Sequence, residues 1–174
     1  MRFQRFVAAA TTAIAVAAGL AVAAPTAQAV TLNACRGSQD AVYHPPIQPA
    51  PRQTTVHADG AFGNCLGDPT HTGGTYSADA QGELSCLLGG SSTGTGKLFW
   101  ADTGAGTSTF TFTLAAGLRP VLGQVLIATG TITGGDYQGA SIEIVYVLTT
   151  TDVTACLTTG IDHTFGDMLI TIIG

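Results

Sequence analysis

Charged residues are scarce in this chain of 174 residues. They make up 10% of it, with six basic and eleven acidic side chains. The sequence pI of about 5.0 leaves no basic surface for a nucleic-acid backbone, so nucleic acid is excluded as a partner. Hydrophobic residues make up 45%, which is too much for a disordered polypeptide and suits one globular domain.

The spacing motifs of metal sites are also missing. The chain has no C-x-x-C or H-x-x-x-H pair, and no D-x-D-x-D-G loop that would gather oxygen ligands for calcium. We therefore predict no metal site and no cofactor, and we interpret the acidic residues of the C-terminal third as solvated loop residues. These acids are Asp136, Glu143, Asp152, Asp162 and Asp167.

The first 29 residues have the pattern of an export signal. Arg2 and Arg5 precede an Ala-rich apolar run, and Ala27-Gln28-Ala29 is typical of a cleavage site. The pattern predicts a signal peptide over residues 1–29 and a secreted, extracellular protein. An uncleaved anchor is the alternative, which the weakly apolar alanines disfavour. No later segment of the sequence is long and apolar enough to span a membrane, so we predict no membrane span after removal of the signal.

Four cysteines follow the predicted cleavage site. An even number of thiols in an exported chain predicts two disulfides, although three pairings are open. We favour Cys65 with Cys86, because it closes a local loop, and Cys35 with Cys156, because it fastens the ends of the domain.

Apolar residues recur mainly at a period of two after residue 52. In the run 107–114, Phe110, Phe112 and Leu114 share one face and threonines share the other. This alternation predicts an all-β domain over residues 53–174 with little helix, either an antiparallel sandwich or a barrel. About eight strands are expected, at Gln53–Phe62, Gly73–Ala80, Gly82–Leu88, Thr95–Ala101, Thr107–Leu114, Leu122–Thr133, Ala140–Thr149 and Thr164–Ile173.

Residues 30–52 are interpreted differently. Pro45, Pro46, Pro49 and Pro51 cannot join a central strand, so we expect an N-terminal Pro-rich arm packed on the sheet. A loose linker is the alternative, but it would leave the apolar residues of this segment exposed.

One catalytic lookalike stands out. An apolar run ends in Asp-Thr-Gly at 102–104, and Ile172-Ile173-Gly174 follows downstream, which resembles the active-site elements of aspartic proteases. A chain with one such motif would have to dimerise so that Asp102 meets its own copy. The same residues suit a hairpin turn between two predicted strands, and we favour the turn.

Other polar and aromatic candidates are weaker. Ser85 and Ser141 lack a G-x-S-x-G elbow, and alternation places His57 on a polar strand face. Five aromatic residues could line a carbohydrate groove, although core and rim positions are ordinary for them. They are Tyr76, Phe99, Trp100, Tyr137 and Tyr146.

Several short motifs together resemble a family of secreted β-domain proteins of actinobacteria. The resemblance covers most of the chain after the signal and implies export and a β-domain, but it supplies no activity and no site residue. The motifs are Cys35-Arg36-Gly37-Ser38, Tyr43-His44-Pro45-Pro46-Ile47, Gly60-Ala61-Phe62-Gly63-Asn64-Cys65, Leu84-Ser85-Cys86, Gly104–Phe112 and Cys156-Leu157-Thr158-Thr159-Gly160.

The sequence thus predicts a secreted, disulfide-stabilised binding or structural module of the cell envelope or extracellular space, rather than an enzyme. Its partner would be an extracellular ligand or a second copy of the chain. The alternative is a small secreted hydrolase, such as an aspartic-protease-like homodimer using Asp102.

Overall fold

The computed structural model describes residues 30–117, 124–149 and 153–174, which form a closed antiparallel barrel. The elements are β1 (Thr31–Ile47), β2 (Arg52–Leu66), β3 (Gly74–Ser85), β4 (Gly89–Trp100), β5 (Thr107–Gly117), β6 (Gln124–Gly134), β7 (Ser141–Leu148), α1 (Val153–Leu157) and β8 (Ile161–Ile173). Each strand pairs with the next, and β8 closes the barrel against β1. The predicted all-β class is confirmed, and the architecture is the barrel. The predicted signal peptide lies outside the described residues.

Eight strands were expected and eight are present, but the two sets of strands differ. The two strands expected on either side of Gln81 are one continuous strand, β3, because Gly82 stays in register between Thr54 and Ser92. A strand that the sequence analysis missed, β1, restores the count to eight.

The expected N-terminal arm is wrong, because Thr31–Ile47 is a full strand of the barrel wall. It pairs with β2 on one side and β8 on the other. Pro45 and Pro46 are accommodated near its end, where the register with β8 shifts between Val42 and Ile47 and the pairing with β2 has ended at His44. The prolines lie where no ladder hydrogen bond is required of them.

The barrel has two distinct ends. At the terminus end, Val30 and Gly174 exchange backbone hydrogen bonds, and the turns after β2, β4 and β6 lie beside them. The helix end carries α1 and the turns that follow β1, β3 and β7.

All four cysteines are paired, as predicted, but the expected pairing is wrong. The bonds join Cys35 to Cys65 at the terminus end and Cys86 to Cys156 at the helix end. Cys35 lies beside Cys65 because β1 and β2 are neighbouring strands. Cys65 and Cys86 flank the 12 residues of β3, and at about 3.3 Å per residue this strand holds them at opposite ends of the barrel.

Strand alternation separates a buried inner face from a polar outer one. On β5, Phe110 and Phe112 point inward and are 1% and 7% exposed, whereas Thr111 and Thr113 lie on the outside, as predicted. On β4, Gly96 lies opposite Phe110, and a Cβ atom at that position would overlap the phenyl ring. Aromatic rings therefore occupy space that glycine leaves on the neighbouring strand.

Candidate ligand-binding cavity

The barrel encloses a cavity of about 60 Å³ that extends toward its helix end. Residues of β1 to β7 line it, and most of them are apolar. No charged side chain is among these lining residues. The described lining of the cavity is therefore uncharged, in a chain whose net charge is −5.

Small side chains on one half of the barrel create this space. Ala41, Ala58 and Ala78 face inward on three adjacent strands and are almost fully buried. Phe112 and Leu126, on the other half, fill only part of the interior. Because protein interiors are otherwise packed as densely as organic crystals, a space of this size marks a departure from simple core packing.

The cavity has a polar floor. Gln39 on β1 and Tyr76 on β3 both pair with Gly60 of β2, so they flank a position that has no side chain. The hydroxyl groups of Tyr76 and Tyr146 lie 2.8 Å apart and are buried. Burial raises the pKa of Tyr76 to about 12 and that of Tyr146 well above its usual value. The floor is thus a set of neutral hydrogen-bonding groups.

The Gln39 amide has unused hydrogen-bonding capacity. The residue is 4% exposed, yet no other described residue hydrogen-bonds its side chain. In the described part of the chain, every side-chain nitrogen or oxygen that is fully enclosed has a hydrogen-bond partner. Because the Gln39 amide has no partner among the described residues, its nitrogen and oxygen must retain some accessible surface. Gln39 lines the cavity and points inward with its strand neighbours, so we infer that this surface is the cavity.

Ser92, on the wall, is a second polar residue of this kind. It is also 4% exposed, lines the cavity and makes no side-chain hydrogen bond to any described residue. Ser85 differs, because its hydroxyl donates to the Pro49 carbonyl at 2.7 Å and accepts from the Leu88 amide at 3.0 Å. Gln39 and Ser92 are therefore the polar side chains of the described lining that make no hydrogen bond to another described residue.

Apolar residues dominate the helix end of the cavity. Ile47 and Leu84 line it there, while Leu87 and Leu88 lie exposed in the turn that follows β3. The Cys86–Cys156 disulfide fastens this turn to α1. Among the described residues, most side chains that line the cavity between this end and Gln39 are thus apolar.

A cluster of titratable side chains lies at the terminus end. The His71 ring contacts Asp68 through Nδ1 at 3.0 Å and Asp136 through Nε2 at 3.1 Å. It also packs against Trp100 and Tyr137, with ring centroids 4.7 and 4.8 Å away. Because both ring nitrogens face carboxylates, neither is free to act as a base on a substrate. This cluster joins the turns after β2 and β6.

The carboxylates of this cluster are stabilised in their ionised form. Hydrogen bonds from Thr70 hold the pKa of Asp68 well below its usual value. The His71 ring, followed by the Gly106 amide, lowers the pKa of Asp136. These contacts hold together the turns that cover the terminus end of the barrel.

Asp102 lies in the turn between β4 and β5, as the favoured interpretation of its motif predicts. Gly104 adopts a φ of 88° in this turn, a conformation that suits glycine. The Asp102 carboxylate accepts hydrogen bonds from the hydroxyl and the amide of Thr72. Both lower the pKa of Asp102, and the hydroxyl has the larger effect. Both carboxylate oxygens are thus engaged by Thr72 of the same barrel, in the turn that the favoured interpretation predicts.

The remaining sequence candidates are dispersed. His57 lies on the outer face between Asp59 and Asp79, as its alternation predicts. The five aromatic candidates form no shared outer groove: Tyr76 and Tyr146 belong to the cavity floor, Trp100 and Tyr137 to the terminus end, and Phe99 to the outer face.

The acidic candidates do not converge on an ion site either. Within the described ranges, no group of three or more His, Cys, Asp or Glu residues could hold a metal ion. Asp152 is not among the residues described. No helix in the described part of the chain is long and apolar enough to cross a membrane.

Sequence reasoning missed the inward position of Gln39 because it missed β1. Asn33, Cys35, Gln39, Ala41 and Tyr43 are buried at even spacings, which is the same period-two signal that identified the other strands. The prolines that follow obscured it. Gln39 could have been found from this alternation as a polar residue at an inward position.

Comparison with known proteins identifies no relative of this chain. No protein-family model, curated protein or solved structure matches it. The cavity and its floor are therefore the features that support a function.

Proposed function

We propose that this is an exported, non-enzymatic binding protein that takes a small, mostly apolar molecule into the barrel cavity. The observation that carries the proposal is an uncharged interior cavity with an unpartnered amide, Gln39, on its floor. Closed barrels of eight strands have interiors that side chains can fill or that can hold one small ligand. Here the side chains leave space.

The energetic argument favours an occupant. A cavity of 60 Å³ costs about 1–2 kcal/mol at about 24 cal/mol per Å³ when it stays empty. A ligand that fills the space would recover part of this cost, and a hydrogen bond to the Gln39 amide would contribute about 0.5–1.5 kcal/mol more.

The size of the cavity limits the ligand. A water-sized probe needs about 10–15 Å³ on this scale, so 60 Å³ admits a slender group of about four to six non-hydrogen atoms. The occupant would be a small molecule or one end of a longer chain. Larger rigid ring systems would require the barrel to rearrange.

Export is part of the same proposal. The predicted signal sequence over residues 1–29 and the resemblance to secreted actinobacterial β-domains support it. The two disulfides are compatible with an oxidising compartment, where such bonds persist.

Binding is tested with 1-butanol as a probe in an NMR titration of the exported chain without residues 1–29. We expect saturable shifts of the backbone amides of cavity residues such as Ala78 and Phe112. Ala58→Leu should abolish them by filling the cavity, while Ala61→Leu, the same change at an exposed position on β2, should leave them intact. Circular dichroism establishes that each variant folds.

The opposite result is equally clear. If 1-butanol and a matched apolar probe both fail to produce saturable shifts in the folded wild-type protein, the cavity holds only water and the binding function is wrong. If Ala61→Leu abolishes the shifts and Ala58→Leu does not, the probe binds on the outside of the barrel.

A further inference from the structure

We infer that the ligand is a neutral molecule with one hydroxyl or amide group, held with that group inward against Gln39 and its apolar part toward the helix end. This inference rests on the proposed binding function and specifies the chemical class of the ligand. It follows from how polarity and charge are distributed along the cavity.

The lack of charge among the described lining residues selects against ions. No acidic or basic side chain lies among them, so neither an ammonium nor a carboxylate would find an opposite charge there. Burial of an unpaired charge is strongly unfavourable. The Tyr76 and Tyr146 hydroxyls on the floor already bond to each other, so they offer a ligand less than Gln39 does.

The primary amide defines the polar group. The Gln39 side chain has an N–H₂ that donates and a carbonyl that accepts, and neither is engaged by another described residue. A ligand hydroxyl or amide can satisfy both functions, because each contains a donor and an acceptor. An ether or halide could satisfy only the donor.

The positions of the lining residues set the orientation. Among the cavity-lining residues of β1, Gln39 is the farthest from the helix end, and Ala41, Tyr43 and Ile47 follow in that direction. Leu84 lines the helix end from β3. A slender amphiphile therefore matches the cavity when its polar group is at the bottom.

The test compares three probes with the same four-carbon chain: 1-butanol, 1-fluorobutane and butylammonium. Dissociation constants are measured by NMR titration of the full chain without its signal. We expect butylammonium to bind at least about tenfold more weakly than 1-butanol. In Gln39→Leu, the preference for 1-butanol over 1-fluorobutane should fall by about three- to tenfold, as expected for loss of one hydrogen bond.

Gln81→Leu provides the matched control, because it makes the same change at an exposed position on β3 that does not line the cavity. We expect this variant to keep the preference for 1-butanol. Loss of the preference in Ser92→Ala but not in Gln39→Leu would assign the polar contact to Ser92 and overturn its assignment to Gln39.

The outcomes separate this inference from the proposed function. If 1-fluorobutane binds the wild-type protein as well as 1-butanol does, the cavity binds ligands but the inferred polar contact is wrong. If butylammonium binds as tightly as 1-butanol, the neutral class is wrong. If no probe binds, both proposals are overturned. Should Gln39→Leu fail to fold, Gln39→Met is used in its place, since it keeps the length of the side chain without the amide.

Discussion

Asp102 and Thr72 are joined by two hydrogen bonds: the carboxylate accepts from the Thr72 amide at 2.6 Å and from its hydroxyl at 2.7 Å. The contact ties the turn after β4 to the segment between β2 and β3. Because it favours the ionised carboxylate, it lowers the pKa of Asp102 below its ordinary value of 3.8. Two neighbouring turns at the terminus end thus depend on one charged side chain.

The first prediction concerns acid stability. A carboxyl group with a lowered pKa in the folded state stabilises the protein above its unfolded-state pKa, and this stabilisation is lost as the pH falls through the folded value. We expect Asp102→Asn to lower the melting temperature at pH 7, and the difference to shrink progressively as the pH falls below 3.8 toward the lowered pKa of Asp102. Differential scanning calorimetry between pH 2 and 7 measures it.

Asp162→Asn is the control for this experiment. Asp162 is exposed on β8, and its side chain makes no hydrogen bond to another described residue. The substitution should change the melting temperature little at either pH. An Asp102→Asn variant as stable as wild type at pH 7 would show that the Thr72 contact does not stabilise the fold.

The second prediction concerns the disulfide pairing, which a double digest can resolve. Cleavage after Arg36, Arg52, Lys97, Glu83 and Glu143 places each cysteine on a separate peptide. Without reduction, peptide 30–36 should remain linked to 53–83, and peptide 84–97 to the peptide that begins at residue 144. A link between 53–83 and 84–97 would restore the pairing favoured by the sequence and contradict the barrel ends described above.

The third prediction uses the packing of glycine against an aromatic ring. Gly96→Ala should destabilise the protein by about 1–3 kcal/mol, because the added methyl group overlaps the Phe110 ring and the core must shift. Gly63→Ala, on β2, is the matched control, since its Cβ atom would meet nothing within 4 Å. Urea denaturation measures both. Equal losses in the two variants would mean that the methyl group's contact with Phe110 is not the cause.

Much of the fold could be predicted because alternation directly reports which residues face inward. On β7, the period-two alternation puts Ile142, Ile144, Tyr146 and Leu148 on one face, and all four are buried. The exception is instructive. Proline disfavours a central strand, but β1 contains Pro45 and Pro46 near its end, where the pairing with β8 is interrupted between Val42 and Ile47.

The cavity could not be predicted from the same pattern. Alternation shows that Ala58 and Ala78 face inward, but it does not show which residues of distant strands stand across from them. The free space depends on closure of β8 onto β1, a contact between the two ends of the chain. The disulfide pairing was predicted wrongly for the same reason. The number of residues between two cysteines does not show at which end of the barrel each of them lies.

The last prediction concerns Phe112, which the sequence placed in the core. The structure confirms that it faces inward, where Phe112 and Leu114 also line the cavity. Phe112→Ala should cost about 3–5 kcal/mol, because it removes buried apolar surface and enlarges an existing space.

Thr111→Ala, one residue away on the outer face, should cost far less. Urea denaturation of both variants gives the comparison, and ligand binding adds an independent readout. The enlarged cavity of Phe112→Ala should admit probes with longer carbon chains, such as 1-hexanol, that the wild-type protein binds weakly, whereas Thr111→Ala should leave this size limit unchanged. If Thr111→Ala were the strongly destabilised variant and Phe112→Ala were close to wild type, the register of β5 would be shifted by one residue. Every inward assignment on that strand would then reverse.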